Sequence, residues 1–289
     1  MNKYIIYFIP VIVLLFAGIY VLSSKNKVEP ISQNQRAYTM ELISKPDNIV
    51  PGQTIKLLYV IKNDKGEIVT NFEIAHEKIM HFIVVRQDLQ DFQHLHPDFN
   101  GSTGEFSVDV TFPEEGPYRL FPDFTPGDDN PQKLPVTVYA DVDVGDKANY
   151  VPQAVNADSE KIKNQDGYQI TYTLPERLPK QTELTYTLHL EKDNQPVTNL
   201  ERYLGALGHS VIIKEGTLDF IHTHAGETKT AGITNKHSVV QEHTSNTSAS
   251  GPEIRFTTTF PESGIYKIFT QFQHQGKIVT TDYAVNVSN

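Results

Sequence analysis

The feature that most constrains this chain is an internal duplication. Val69 to His96 aligns without a gap on Val197 to His224, at a constant offset of 209 − 81 = 128. Nine of the 28 positions are identical: the Val-Thr-Asn opening, Glu73/Glu201, His81/His209, Asp91/Asp219, Phe92/Phe220, His94/His222 and His96/His224. A second block follows at an offset of 260 − 112 = 148, where Phe112-Pro113-Glu114 with Gly116 and Tyr118 matches Phe260-Pro261-Glu262 with Gly264 and Tyr266. The extra 148 − 128 = 20 residues fall in Ala225 to Ser250, a Thr-, Ser-, Gly- and Asn-rich stretch that reads as a mobile loop of the second copy. A chain repeated in this way folds as one module used twice.

Each copy reads as β structure. Thr54 to Ile61 and Thr182 to Leu190 are apolar or alternating over strand lengths, and Phe106 to Phe112 and Ile254 to Phe260 alternate at period two. Turn sequences such as Asp64-Lys65-Gly66, Asp193-Asn194-Gln195 and Glu115-Gly116-Pro117 separate the strands at short intervals. No segment beyond residue 28 sustains a long helical period. The predicted fold is all-β: two tandem immunoglobulin-like sandwiches, residues 36–148 and 149–289, the second carrying the loop at 225–250. Tyr118 and Tyr266, each in a Gly-x-Tyr context opening a late strand, suit a core-edge position with a paired hydroxyl.

Both copies carry His-x12-His-x-His: His81, His94 and His96, then His209, His222 and His224. On a strand, residues two apart project from one face, so His94 and His96 present their imidazoles side by side, as do His222 and His224. A tight reversal near residues 87–91 returns the chain so that His81 lies opposite that pair. Three neutral imidazoles converging on one point suit copper(II) or zinc. The spacing survives while its surroundings diverge: Met80 becomes Gly208, Phe82 becomes Ser210 and Leu95 becomes Thr223. At most one ion per domain is expected, and no organic cofactor. The bland alternative is a set of surface or packing histidines kept in both copies.

Asp91 and Asp219 stand three residues before the central His of each set. They either orient an imidazole through its second nitrogen or cap the turn. Asp123 is matched by Gln271, which makes it a poorer ligand candidate, and His76 is matched by Leu204. His237 and His243 lie in the inserted loop, and His189 and His274 read as incidental.

Composition narrows the chemistry further. There is no cysteine, which excludes disulfides, thiolate-bound metal, iron-sulfur clusters and thiol nucleophiles. With three Met in all, a thioether cage for Cu(I) is not expected. The formal charge of 25 − 35 = −10 lacks the basic field that phosphate neutralisation requires, so nucleic acid is excluded as a partner.

Ile5 to Leu22 is an uncharged apolar run that as a helix spans about 27 Å, enough to cross a bilayer. Residues 1–23 are therefore read as a transmembrane signal-anchor, followed by a polar linker at 24–35. The alternative is a cleaved signal peptide, for which Val21-Leu22-Ser23 is the best site. A very short head favours the arrangement with the bulk of the chain outside the cytoplasmic membrane.

The string Lys78-Ile-Met-His-Phe-Ile-Val-Val-Arg-Gln-Asp-Leu-Gln-Asp-Phe-Gln-His-Leu-His-Pro97, with Phe-Pro-Glu-Glu-Gly-Pro-Tyr and Phe-Pro-Asp-Phe-Thr-Pro after it, resembles bacterial secreted or membrane-anchored proteins of the YtkA-like and FixH-like kind. The second copy is similar in Gly205-Ala-Leu-Gly-His-Ser and Ile221-His-Thr-His224. The resemblance implies an extracytoplasmic, immunoglobulin-like, metal-linked protein, with copper favoured by association. The second copy departs in having Ala225 for Pro97 and in its long insertion, which puts equal affinity of the two sites in doubt.

Three functions follow. The leading expectation is a membrane-anchored, extracytoplasmic metal-binding protein acting in metal homeostasis as chaperone, buffer or sensor. The second is an envelope module that meets a protein partner, with structural histidines. The third is a zinc-dependent hydrolase, for which no general base or nucleophile motif is recognisable, so an enzyme is the less favoured reading.

Overall fold

A computed structural model describes residues 38–127, 133–226 and 251–289. The expected membrane anchor, its linker and most of the inserted loop, with His237 and His243, lie outside the described residues. Among the described residues no helix is long and apolar enough to cross a membrane.

The chain is all-β. The first repeat runs β1 (Thr39–Ser44), β2 (Thr54–Lys62), β3 (Phe72–Glu73), β4 (Met80–Arg86), β5 (Phe92–Leu95), β6 (Asp98–Asn100), β7 (Glu105–Thr111), β8 (Gly116–Pro126), β9 (Val136–Thr137) and β10 (Ala140–Val144). In the second repeat follow β11 (Ile162–Gln165), β12 (Tyr168–Thr173), β13 (Glu183–Lys192), β14 (Gln195–Pro196), β15 (His209–Lys214), β16 (Phe220–His224), β17 (Glu253–Thr259), β18 (Gly264–His274) and β19 (Lys277–Val287).

In the first repeat the sheets have strand orders β1-β2-β7-β6 and β10-β8-β4-β5. Two antiparallel sheets in these orders correspond to the ABED and GFC arrangement of immunoglobulin-like sandwiches, with one strand added at the edge of the second sheet. The other repeat keeps the order β16-β15-β18-β19 in one sheet and pairs β12, β13 and β17 in the other, with β11 added outside β12. Its fourth ABED strand has no counterpart among the described residues.

Period-two alternation builds each sandwich. Leu57 and Tyr59 of β2 and Phe106 and Val108 of β7 meet Phe82 and Val84 of β4 and Tyr118 and Leu120 of β8 in one core. Tyr186, Leu188 and Phe256 meet Ile212, Ile268 and Phe272 in the other. The hydroxyls of Tyr118 and Tyr266 lie 3.0 Å from the carbonyl oxygens of Glu114 and Glu262, the tyrosine corner of such sandwiches, repeated in both copies.

All seven residues of β4 are buried, although a strand with one wet face buries alternate residues. The outward-pointing set has its own core. Ile83, Val85, Leu89 and Phe121 of the first repeat pack with Val211, Ile213, Leu218 and Phe269 of the second, and residues 36–289 form one compact unit. Phe92 stacks on Phe269 with ring centroids 4.3 Å apart, and Phe121 packs on Phe220 at 5.1 Å. By the two sequence offsets, 92 + 128 = 220 and 121 + 148 = 269, so these contacts are equivalents of each other. The repeats thus meet through the same surface on each, related by an approximate twofold axis.

Candidate metal centre

The histidine triads sit on this buried face. Along β4, Phe82 and Val84 enter the sandwich core, so His81 points with Ile83 and Val85 toward the other repeat. Along β5, Leu95 packs inward while His94 follows Phe92 outward. The hairpin between them is closed by the Arg86 N–H to Asp91 carbonyl bond at 3.1 Å, with Leu89 at φ 60° anchoring the turn in the interface core. Register is identical in the two repeats: His81 lies opposite Asp123 on β8, as His209 lies opposite Gln271 on β18.

Within each triad, one ring nitrogen from each of His81, His94 and His96 lies within 4.8 Å of the others, and the same holds for His209, His222 and His224. Nδ1 of His81 is 2.9 Å from Nε2 of His94. The opposite nitrogens are held from behind. Nε2 of His81 faces the Ala75 carbonyl at 3.3 Å, and Nδ1 of His94 faces Oε1 of Gln271 at 2.8 Å. With each outer nitrogen donating to its carbonyl oxygen, the two inner nitrogens both carry lone pairs, a repulsive contact that a bound cation relieves. Two nitrogens about 2 Å from one tetrahedral metal are about 3.3 Å apart. With the His81 proton on Nδ1 instead, the pair is an ordinary hydrogen bond to Nε2 of His94 and the bond to Ala75 is given up.

Corresponding bonds recur in the second triad. Nε2 of His209 donates to the Tyr203 carbonyl at 2.8 Å, equivalent to Ala75 at the 128 offset. Its Nδ1 is buried and has no hydrogen-bond partner among the described residues, and the same is true of Nε2 of His96. Nδ1 of His222 lies 2.7 Å from Oδ2 of Asp123.

Electrostatics keep His81, His94, His96 and His209 neutral. Burial, reinforced by the rings of His94, His96 and His209, pushes the His81 imidazole down to about 2. His209 is pushed to about 2 by burial and then by His224 and His94. Burial takes His94 to about 4 against the opposing effect of its Gln271 bond, and takes His96 to about 3 with help from His94 and Lys78. Neutral imidazole is the metal-binding form. A cleft of about 320 Å³, lined by His76, His81, Asp123, Thr125, His222 and His224 among others, opens onto the cluster.

Asp91 and Asp219 bond elsewhere. Oδ2 of Asp91 accepts from the Tyr118 hydroxyl at 2.8 Å and lies 3.5 Å from Nε of Arg86, while Asp219 accepts from the Thr217 hydroxyl at 2.7 Å. Orientation of imidazoles falls instead to Asp123 and Gln271, residues of low promise in the sequence because they do not match each other. Each is clamped by a threonine: Oγ1 of Thr137 donates to Oδ1 of Asp123 and Nε2 of Gln271 donates to Oγ1 of Thr280, both at 2.9 Å. His76 also joins the cluster, stacked on His224 at 3.5 Å between centroids. It occupies a tight turn, with His76 and Glu77 at φ 51° and 65°, matched by Leu204 and Gly205 at 52° and 79°. His274 is buried and bonded to Tyr168 and Asn199 at 2.8 and 3.0 Å, and His189 lies near Glu191 at the surface.

Comparison with known proteins adds little about activity. No curated protein matches the chain in sequence. Among solved structures, a point mutant of Salmonella alpha-2-macroglobulin aligns at 12% identity and TM-score 0.23, over 87% of this chain and 15% of its own length. Native E. coli alpha-2-macroglobulin aligns at 11% and 0.26, over 87% of this chain and 14% of that one. Domains 4 and 5 of the S-layer protein SbsC align at 11% and 0.22, over 88% of this chain and 98% of that one. The chain therefore spans about a seventh of these two macroglobulins, and the fold assignment rests on strand order and packing. A family model matches twice, over residues 33–152 and 163–289, and the chain belongs to that family, described as a domain of unknown function, DUF8832.

Proposed function

We propose that this chain is an extracytoplasmic metal-binding protein that holds copper(II) or zinc on its two histidine triads and serves metal homeostasis as a chaperone, buffer or sensor. In this reading residues 1–23 anchor it in the cytoplasmic membrane, and modules 36–148 and 149–289 lie outside. The observation that carries it is the His209 ring: its Nδ1 is buried without a hydrogen-bond partner among the described residues, and one of its two nitrogens lies within 4.8 Å of ring nitrogens of His222 and His224. Burying a polar nitrogen with nothing to bond is unfavourable, and a metal ion supplies the missing partner. An all-nitrogen donor set without thiolate suits borderline divalent ions. The envelope is also where an acidic body would gather cations.

The test is titration of the purified 289-residue chain with Cu(II) and Zn(II) by calorimetry. Binding is expected to fall sharply when His94, His96, His222 and His224 are replaced together by Ala. Unchanged stoichiometry and affinity in that variant would overturn the reading.

A further inference from the structure

We infer that the two triads form one binuclear metal centre shared between the repeats, in which Asp123 makes the His209, His222 and His224 half the tighter and first to fill. The inference rests on the metal-binding reading above and adds to it an arrangement, an order and a residue that sets that order.

Proximity comes first. Ring centroids of His81 and His222 are 5.2 Å apart, of His81 and His209 6.1 Å, of His94 and His222 6.1 Å, and of His94 and His209 6.3 Å. Spacings inside a triad are similar: His81 to His94 is 5.1 Å and His209 to His222 is 6.0 Å. Ions held about 2 Å beyond nitrogens of such closely packed rings lie within about 10 Å of one another. Two divalent ions that close, in a buried site, repel strongly, so the second ion binds more weakly than the first.

Neither half is complete within its own repeat. His94 of the first repeat is oriented by Gln271 of the second, and His222 of the second by Asp123 of the first. These are equivalent contacts across the approximate twofold axis, since 94 + 128 = 222 and 123 + 148 = 271. Equivalence stops at chemistry. A carboxylate behind an imidazole raises its basicity and offsets part of the charge of a bound ion, and a neutral amide does neither. His76 adds to the asymmetry, because it reaches from the first repeat to stack on His224, with Leu204 at the matching position of the second. Both differences favour the His209 half.

The experiment is Cu(II) titration of the 289-residue chain, followed by calorimetry and electron paramagnetic resonance. Two equivalents are expected, the second at least tenfold weaker. At one equivalent the spectrum should be that of an isolated nitrogen-ligated Cu(II), and at two it should show dipolar broadening and a half-field transition. Asp123→Asn, nearly isosteric, should weaken the first equivalent by 10- to 100-fold. Gln271→Glu should strengthen the second and narrow the gap. Two equal sites without spin coupling, or a single equivalent in all, would overturn the binuclear assignment, and an Asp123→Asn chain that folds and binds as before would overturn the order of filling assigned to Asp123, each while leaving metal binding standing. Absence of any Cu(II) or Zn(II) binding would overturn both.

Discussion

Nδ1 of His222 and Oδ2 of Asp123 are 2.7 Å apart although 99 positions separate them and they belong to different repeats. The bond ties the buried face of one sandwich to that of the other at the point where the histidines gather. With its equivalent between His94 and Gln271, it makes the histidine cluster a property of the interface.

The interface should therefore be a determinant of both stability and binding. Phe269 is buried, stacked on Phe92 and part of the core between the repeats. Phe269→Ala is expected to destabilise the chain by about 3–5 kcal/mol, the usual range for deleting a buried ring. Denaturant unfolding measures that loss, and zinc titration of the same variant should show weakened affinity although no ligand has changed.

Acid should destabilise the metal-free chain in a defined window. His81, His94, His96 and His209 have folded pKa values depressed to about 2, 4, 3 and 2, from 6.5. The unfolded chain therefore binds more protons between these values and 6.5, and stability rises with pH across that interval. It is fully present above pH 6.5 and lost progressively as pH falls toward 4 and below. Each such histidine adds a slope of up to about 1.4 kcal/mol per pH unit. Thermal melts at pH 7.5, 6 and 5 check this; a flat Tm across the series would contradict it.

Metal affinity should depend on pH less than for exposed histidines. Three free imidazoles of pKa 6.5 lose about fiftyfold in joint availability between pH 7.5 and 6. The depressed values of His81, His94, His96 and His209 keep those rings neutral throughout that range. In a chain with His222 and His224 replaced by Ala, which keeps the first triad alone, zinc affinity is expected to change by less than about fivefold over the same interval, as read by competition against a chelator of known pH dependence.

Two buried tyrosines should respond oppositely to loss of the hydroxyl. The Tyr59 hydroxyl has no hydrogen-bond partner among the described residues, with its ring stacked between Phe82 and Phe106. The Tyr186 hydroxyl donates to Oγ of Ser210 at 2.6 Å in the other core. Tyr59→Phe removes an unsatisfied polar atom and should leave stability unchanged or raise it, while Tyr186→Phe should lower it by about 1–2 kcal/mol. Paired denaturation curves decide the sign.

The β architecture was legible because alternation along strands such as Phe106–Phe112 is a local pattern, imposed by the two-residue repeat of the backbone. The His-x-His pairs were legible for the same reason: side chains two apart share a face wherever the strand ends up. Parity also explains the fate of Asp91, since three positions on a strand separate it from His94 onto the opposite side, toward Tyr118 and Arg86. That clue was present in the spacing and pointed away from an imidazole.

His76 and Asp123 carried no such sign. His76 lies in a turn five residues before the first triad, and Asp123 is matched to Gln271 by position only. Comparison of the two copies favours residues that are identical in both, whereas the residues that orient the imidazoles differ.

The sequence by itself determined that one β module is used twice and that each copy offers three nitrogen donors with no thiolate. Local periodicity and composition suffice for that. Only the tertiary structure decided that the two donor sets meet, because their meeting depends on Phe92 packing against Phe269 and Phe121 against Phe220, contacts between residues far apart along the chain. Burial at that contact is also what strips His81, His94, His96 and His209 of water and keeps them neutral, and no local pattern encodes it.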